Sequence, residues 1–275
     1  MTDSSSDPNH VQTNSSTKDS LIQSAYSSKV IILLSSTNPG TSLKHFIQVY
    51  SVCSTVFNTV HIATTTGLPP IWAPVMGTSP STTTGSTTGS TTTTTTGSTT
   101  TNTGSTTTTT TNTDSATAKW LADKHNLLKH PLALDTLDPL LANYSGFVVP
   151  DADGFYFEPQ SPAIHSFLEY FLKFRKPICL IGSGTAVLFS TEPNTGDMWM
   201  FRRHALTAPS NLSLVKANTY TTCRSVEDFI GDLYGRYSTS KNESLHIVID
   251  DNIVTAQTKN STLIAIQAFT LLCNR

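Results

Sequence analysis

The chain has 275 residues, of which 37% are apolar and 13% charged, and a formal net charge of −2 at pH 7. That length holds one large domain or two small ones. So weak a charge gives no electrostatic case for direct binding to nucleic acid or to an anionic membrane. No apolar run approaches the ~20 residues that span a bilayer, so direct membrane insertion is not expected.

Residues 1–28 are rich in Ser, Thr, Asn and Asp. They contain no apolar core of the kind a secretory signal needs, so the cytoplasm is the expected compartment and secretion is not. They are also too polar to bury surface, which predicts a disordered tail over 1–28 and one ordered domain over 29–275. The cysteines are Cys53, Cys179, Cys223 and Cys273. None falls in a metal-ligand spacing, and all read as reduced thiols. No cofactor or metal is expected. Sequons at Asn14, Asn143, Asn211, Asn242 and Asn260 arise by chance in a Ser/Thr-rich chain without a signal.

Val30 to Leu34 is a continuous apolar run, as expected of a parallel strand covered on both faces. After the loop Asn38-Pro39-Gly40, Thr41 or Ser42 caps a helix carrying Leu43, Phe46, Ile47, Tyr50 and Val52. Val60 to Thr64 is the second strand, and strand–helix–strand implies a right-handed crossover in a parallel sheet. From about 77 to 117 the chain is almost entirely Thr, Ser and Gly, a low-complexity insert expected to be disordered and dispensable for folding. Asp123, His125 and His130 lie close together, but their spacing matches no metal site and Pro131 prevents one helical face from presenting all three. A short helix is predicted over 138–141, then a third strand, Gly146 to Pro150. Asp151-Ala152-Asp153-Gly154 follows, where Asp151 and Asp153 could form an acid/base pair or a cation site, but read as solvated turn formers. Ser161 and Pro162 open a helix as N-cap and first residue, burying Ile164, Phe167, Leu168 and Phe171.

Ile178 to Ile181 reads as a buried strand that breaks at Gly182-Ser183-Gly184 into a helix beginning at Thr185. A strand turning sharply into a helix is the geometry of a nucleophile elbow, which lifts one side chain toward the N–H groups opening the helix. Cys or Ser stands at the apex of an active elbow, whereas here the strand ends in Gly182. Beyond it, Met198 to Phe201 reads as an aromatic strand. His246 to Gln257 reads as a hairpin with an Asp-Asn turn. Ser261 caps a last helix burying Leu263, Ile264, Ile266, Ala268, Phe269, Leu271 and Leu272. His204 and Asp228 could pose as partners of a nucleophile, but without one they have nothing to activate. The elements together predict an α/β fold, a flavodoxin-like three-layer sandwich with a mainly parallel sheet.

The Lys176-Pro177 strand and its small-residue turn resemble the PfpI-like branch of the class I glutamine-amidotransferase superfamily, which includes Parkinson disease protein 7. In active members the turn reads roughly Cys-His-Gly. Here Gly182 stands at the Cys, Ser183 at the His, and Gly184 matches. The segment from Ile62 to Ile71 resembles the family's Ala-Thr-Pro-Gly-Gly. Ala205 to Ser210, Val226 to Phe229 and His246 to Gln257 resemble blocks of one subgroup, whose turn also carries Gly. Active members have a Glu after the first strand, but between Lys29 and Val60 this chain has no Asp or Glu. They also use a glycine N–H after the third strand as oxyanion donor, where this chain has the vestigial loop Asp151, Ala152, Asp153 and Gly154.

What the resemblance implies is a non-catalytic, homo-oligomeric scaffold subunit of the FERRY complex. That complex is a Rab effector, peripheral on early endosomes, that carries mRNA. RNA contact would then come only through other protein subunits. Trp72, Trp120 and Trp199 could serve an interface, although they read first as core residues. Two alternatives remain open: a hydrolase or glyoxalase-type enzyme using Ser183 or Cys179, and a small-anion sensor using the empty elbow.

Overall fold

The computed structural model describes residues 28–74, 115–138, 143–216, 224–241 and 244–274. The expected tail, most of the Thr/Ser/Gly insert, Cys223 and most of the short helix expected over 138–141 lie outside the described residues. The first helix after the insert begins at Ser115, so the last residues assigned to the tract from composition are helical.

Seven strands form one sheet in the order β3-β2-β1-β4-β5-β9-β8. They are β1 (Lys29–Leu33), β2 (Thr59–Thr64), β3 (Leu132–Ala133), β4 (Gly146–Val149), β5 (Ile178–Ile181), β8 (Ile247–Asp250) and β9 (Ile253–Ala256). All neighbours run parallel except the hairpin β8–β9, whose two-residue turn holds Asp251 at φ 58°. A central parallel strand has no solvent face, and here β1, β4, β5 and β9 each carry two sets of buried side chains. Ile31, Leu33, Phe147, Val149, Ile178 and Leu180 point to one face of the sheet. Val30, Ile32, Val148, Cys179 and Ile181 point to the other.

Helices α1 (Leu43–Val56) and α7 (Thr262–Cys273) cover the second face, together with α2 (Ser115–Asp123) and α3 (His125–Lys129) at its margin. Trp72 stacks on Phe46 of α1 at 5.5 Å, and Trp120 of α2 meets the same ring edge-on at 5.7 Å. The first face is covered by α4 (Pro162–Lys173), the 3-10 stretch Gly182–Thr191 and α6 (Val226–Asp232). The short α5 (Asn211–Lys216) and a two-strand sheet of β6 (Ala205–Leu206) and β7 (Arg236–Tyr237) complete that side. This is the three-layer α/β/α sandwich with a mainly parallel sheet that the strand pattern predicts.

Several local expectations hold in detail. Ser161 accepts the N–H of Ile164 at 3.3 Å and caps α4, which buries Ile164, Phe167, Leu168 and Phe171. Ser42 takes the N-cap position of α1 but its side chain makes no cap hydrogen bond, its hydroxyl pairing with His45 Nδ1 instead.

Others need correction. Met198 to Phe201 is a turn, not a strand. Trp199 and Phe201 are buried because the chain folds back on itself there, with Arg202 N–H on Trp199 O and His204 N–H on Phe201 O. The segment from Thr185 continues the elbow as 3-10 helix, not α. Helix α7 is apolar almost all round, and pattern alone does not select its inner face. Ala265, Ile266 and Phe269 are buried, whereas Leu263, Ile264 and Leu271 are exposed by 47%, 38% and 70%. Ser261 makes no side-chain cap, its hydroxyl accepting His246 N–H at 3.0 Å instead. Among the described residues no helix is long and apolar enough to cross a membrane.

Candidate functional site

The carboxyl ends of the parallel strands gather three loops. The loop after β1 is tied to the loop after β2 by Ile71 N–H on Ser35 O and Thr41 N–H on Ile71 O. It is tied to the loop after β4 by Ser42 N–H on Asp151 O and Gly154 N–H on Gly40 O. Gly154 fits there because a Cβ would run into Ser35 Oγ and Thr37 O. Gly154 N–H is thus engaged by the neighbouring loop, and Asp151 and Ala152 stand directly after Pro150.

At the elbow Gly182 has φ 53°, the left-handed region that disfavours other residues. A Cβ at Gly182 would fall on Asp151 Oδ1, closer than real Cβ atoms approach, and 3.3 Å from Lys259 N. The carboxylate is held in that place by Ser183 N–H, which donates to Asp151 Oδ1 at 2.9 Å. Gly184 is equally confined, since a Cβ there would meet Pro150 O. Asp151 is therefore not the solvated turn former expected from sequence. It is a buried carboxylate, 8% exposed, seated where the side chain of an elbow residue would stand. Burial pushes its pKa up to about 6, and the neighbouring charge of Asp153 adds to the rise, against the opposing Ser183 hydrogen bond and the charge of Lys259. Ala152 is buried, and Asp153 is half-buried at the start of a 3-10 turn, Asp153–Tyr156.

Two groups near the elbow carried no usable sequence signal. His45, in the first turn of α1, hydrogen-bonds through Nδ1 to Ser42 Oγ at 2.7 Å. Burial, with Lys259 and Lys44 nearby, lowers its pKa to about 4, so the imidazole is neutral at pH 7. Lys259 reaches the same place from the loop after β9. A Ser followed three residues later by His at a helix start was the available clue. The arrival of Lys259 depends on tertiary packing alone.

A second carboxylate sits at the ends of β1 and β2. Glu158 Oε1 accepts Ser35 Oγ at 2.5 Å and Oε2 accepts Thr65 Oγ1 at 2.9 Å. The stretch after β1 indeed has no acidic residue of its own, but Glu158 supplies a carboxylate there from 123 positions along the chain. Its pKa is raised by burial despite those hydroxyl donors.

The other candidates are separate from the elbow or inert. Cys179 is completely buried in mid-strand, and burial holds its thiol well above the usual range, which disfavours the thiolate. Burial raises Cys53, on the same side of the sheet, to about 12. Ser183 is 8% exposed, and its N–H serves Asp151. His204 approaches Asp250 at 3.9 Å, whereas Asp228 bonds Asn211, so the two are not a pair. Among the described residues, no group of three His, Cys, Asp or Glu side chains could hold a metal ion, and Asp123, His125 and His130 are all exposed.

Comparison with protein-family profiles gives no match. Comparison with curated proteins gives "Glutamine amidotransferase-like class 1 domain-containing protein 1" of Danio rerio, 30% identical over 164 residues, 58% of this chain and 75% of that protein. The protein of the same name from Homo sapiens is 31% identical over 161 residues, covering 58% and 72%. The chain belongs to the glutamine amidotransferase-like class 1 domain-containing protein 1 family. Solved structures agree with the fold of this glutamine amidotransferase-like domain. Rapid Encystment Protein 24 kDa of Francisella tularensis superposes with TM-score 0.68 at 18% identity over 90% of this chain and 99% of its own. Glyoxalase III of Candida albicans superposes with TM-score 0.63 at 12% identity over 90% and 98%.

Proposed function

We propose that this glutamine amidotransferase-like domain is non-catalytic. In this reading it serves as a homo-oligomeric scaffold subunit of an early-endosomal Rab-effector assembly of the FERRY type, linked to mRNA transport through its partner proteins. The observation that carries the first part is the carboxylate of Asp151 in the space a nucleophile at residue 182 would need. A negative group there opposes a developing oxyanion, and the N–H that would stabilise it is already bonded. The second part rests on what the resemblance to this subgroup implies. The small-anion reading loses its support for the same electrostatic reason: Asp151 already occupies the N–H that an anion would seek.

The enzyme reading would need Ser183 or Cys179, and among the described residues neither side chain hydrogen-bonds a base, Asp151 meeting Ser183 only at its N–H. Purified protein is expected to show no methylglyoxal, esterase or glutaminase turnover above background. Turnover that disappears in Ser183→Ala would overturn the reading in favour of a serine enzyme. The scaffold role is tested by affinity capture of the full chain from its own cells followed by mass spectrometry. Recovery of a stoichiometric multi-subunit assembly is expected, and recovery of the chain alone would refute it.

A further inference from the structure

The carboxyl edge of the sheet is not closed everywhere. Strand order reverses between β1 and β4, the position where open α/β sheets leave a crevice for ligands. Beside that reversal lies a cavity of about 690 Å³, within the several-hundred-Å³ range of small-molecule sites. Its lining includes Thr37 and Thr65, the carboxylates of Glu158 and Asp135, and the apolar side chains of Leu68 and Leu137. Glu158 is half-buried and accepts from the hydroxyls of Ser35, Thr65 and Thr37 and from the Ser36 N–H. These neutral donors orient the carboxylate without cancelling its charge, which a cation would do. Among the described residues, no Lys, Arg or His forms an ion pair with Glu158 or with Asp135. The cavity lining therefore combines apolar side chains with two carboxylates that, among the described residues, no side-chain cation pairs.

We propose that this cavity binds a small organic cation, a protonated amine whose charge meets Glu158 and Asp135 and whose apolar body lies against Leu68 and Leu137. Inorganic cations fit less well, since the apolar side chains offer them no oxygen ligands. Carboxylates and phosphates are excluded by charge. The inference does not depend on the scaffold reading, because the cavity and the elbow share no residue.

The test is isothermal titration calorimetry of the full chain with 2-phenylethylamine, and with 3-phenylpropionate as the anion of similar shape. Saturable binding of the amine alone is expected, weakened about 10-fold in Glu158→Gln and about 3-fold in Asp135→Asn. Asp135 is exposed, so its variant reports on charge without disturbing the fold. Circular dichroism decides whether Glu158→Gln is folded. If it is not, Asp135→Asn carries the test alone. Binding of the propionate as tightly as the amine, absence of saturable amine binding at millimolar concentration, or unchanged amine affinity in the folded variants would overturn the proposal.

Discussion

Asp151 and Glu158 lie seven positions apart in sequence and on the same edge of the sheet, yet they do opposite things to the space around them. Asp151 turns toward the elbow and fills it, fixed by a backbone N–H that no side-chain substitution can remove. Glu158 turns toward β1 and β2 and lines an open cavity, where it accepts from the hydroxyls of Ser35, Thr65 and Thr37 and from the Ser36 N–H. One carboxylate fills the space at the elbow, and the other leaves room beside it. A backbone donor holds Asp151 against Gly182, whereas side-chain hydroxyls make up most of the donors at Glu158. Side-chain substitutions therefore disturb Glu158 more readily than Asp151.

The largest expected effect is at the elbow. Gly182→Cys forces a side chain onto Asp151 and into a left-handed backbone conformation, which together cost about 3 kcal/mol. Asp151→Gly combined with Gly182→Cys removes the overlap and should regain about 2 kcal/mol of that loss, a strong coupling in a double-mutant cycle. Additive losses, read by urea denaturation, would mean that Asp151 moves aside freely.

The next effect is on pH dependence. The folded-state pKa of Asp151 is raised to about 6 from 3.8, so its neutral form is favoured on folding. Stability from this group is full below about pH 4 and is lost as pH rises toward 6, by about 2–3 kcal/mol. His45, lowered to about 4, has the opposite slope: its contribution is present above pH 6.5 and is lost as pH falls. Its partial exposure screens that contribution and makes it the smaller of the two. Asp151→Asn should therefore remove most of the stability difference between pH 4.5 and pH 7. His45→Gln should enlarge the fall on going to pH 7. An unchanged difference in Asp151→Asn would show that the carboxylate is solvated in solution.

The smallest effect is at Glu158. Thr65→Val deletes one of its donors and should cost about 1 kcal/mol in thermal or urea unfolding. The elbow offers no equivalent deletion. A neutral result would show that water replaces the hydroxyl, and would weaken the account of an oriented carboxylate.

Much of the fold is legible in the sequence, because parallel strands are apolar runs and caps are local. The β1, β2, β4 and β5 runs, the Ser161-Pro162 start of α4 and the β8–β9 hairpin all declare themselves within a few residues. Met198 to Phe201 misleads because an aromatic cluster buried by a turn looks like one buried in a strand. The inner face of α7 is hidden because Leu263, Ile264 and Leu271 are as apolar as Ile266 and Phe269. At the site, the glycine at the apex of the elbow is visible at Gly182, but the role of Asp151 is not. That role depends on a contact with Ser183 across 32 positions, and a carboxylate next to a glycine turn ordinarily faces water. The Glu158 contacts are longer-range still.

The Gly182–Asp151 fit also bears on how this chain can vary. A side chain at 182 and the carboxylate of Asp151 exclude each other from one volume. Any change that enlarges residue 182 therefore has to follow, or come together with, a change that moves or shortens Asp151. Shortening residue 151 first meets no clash, so that order is open. The fit thus links the two positions, and substitution at one sets what the other will accept.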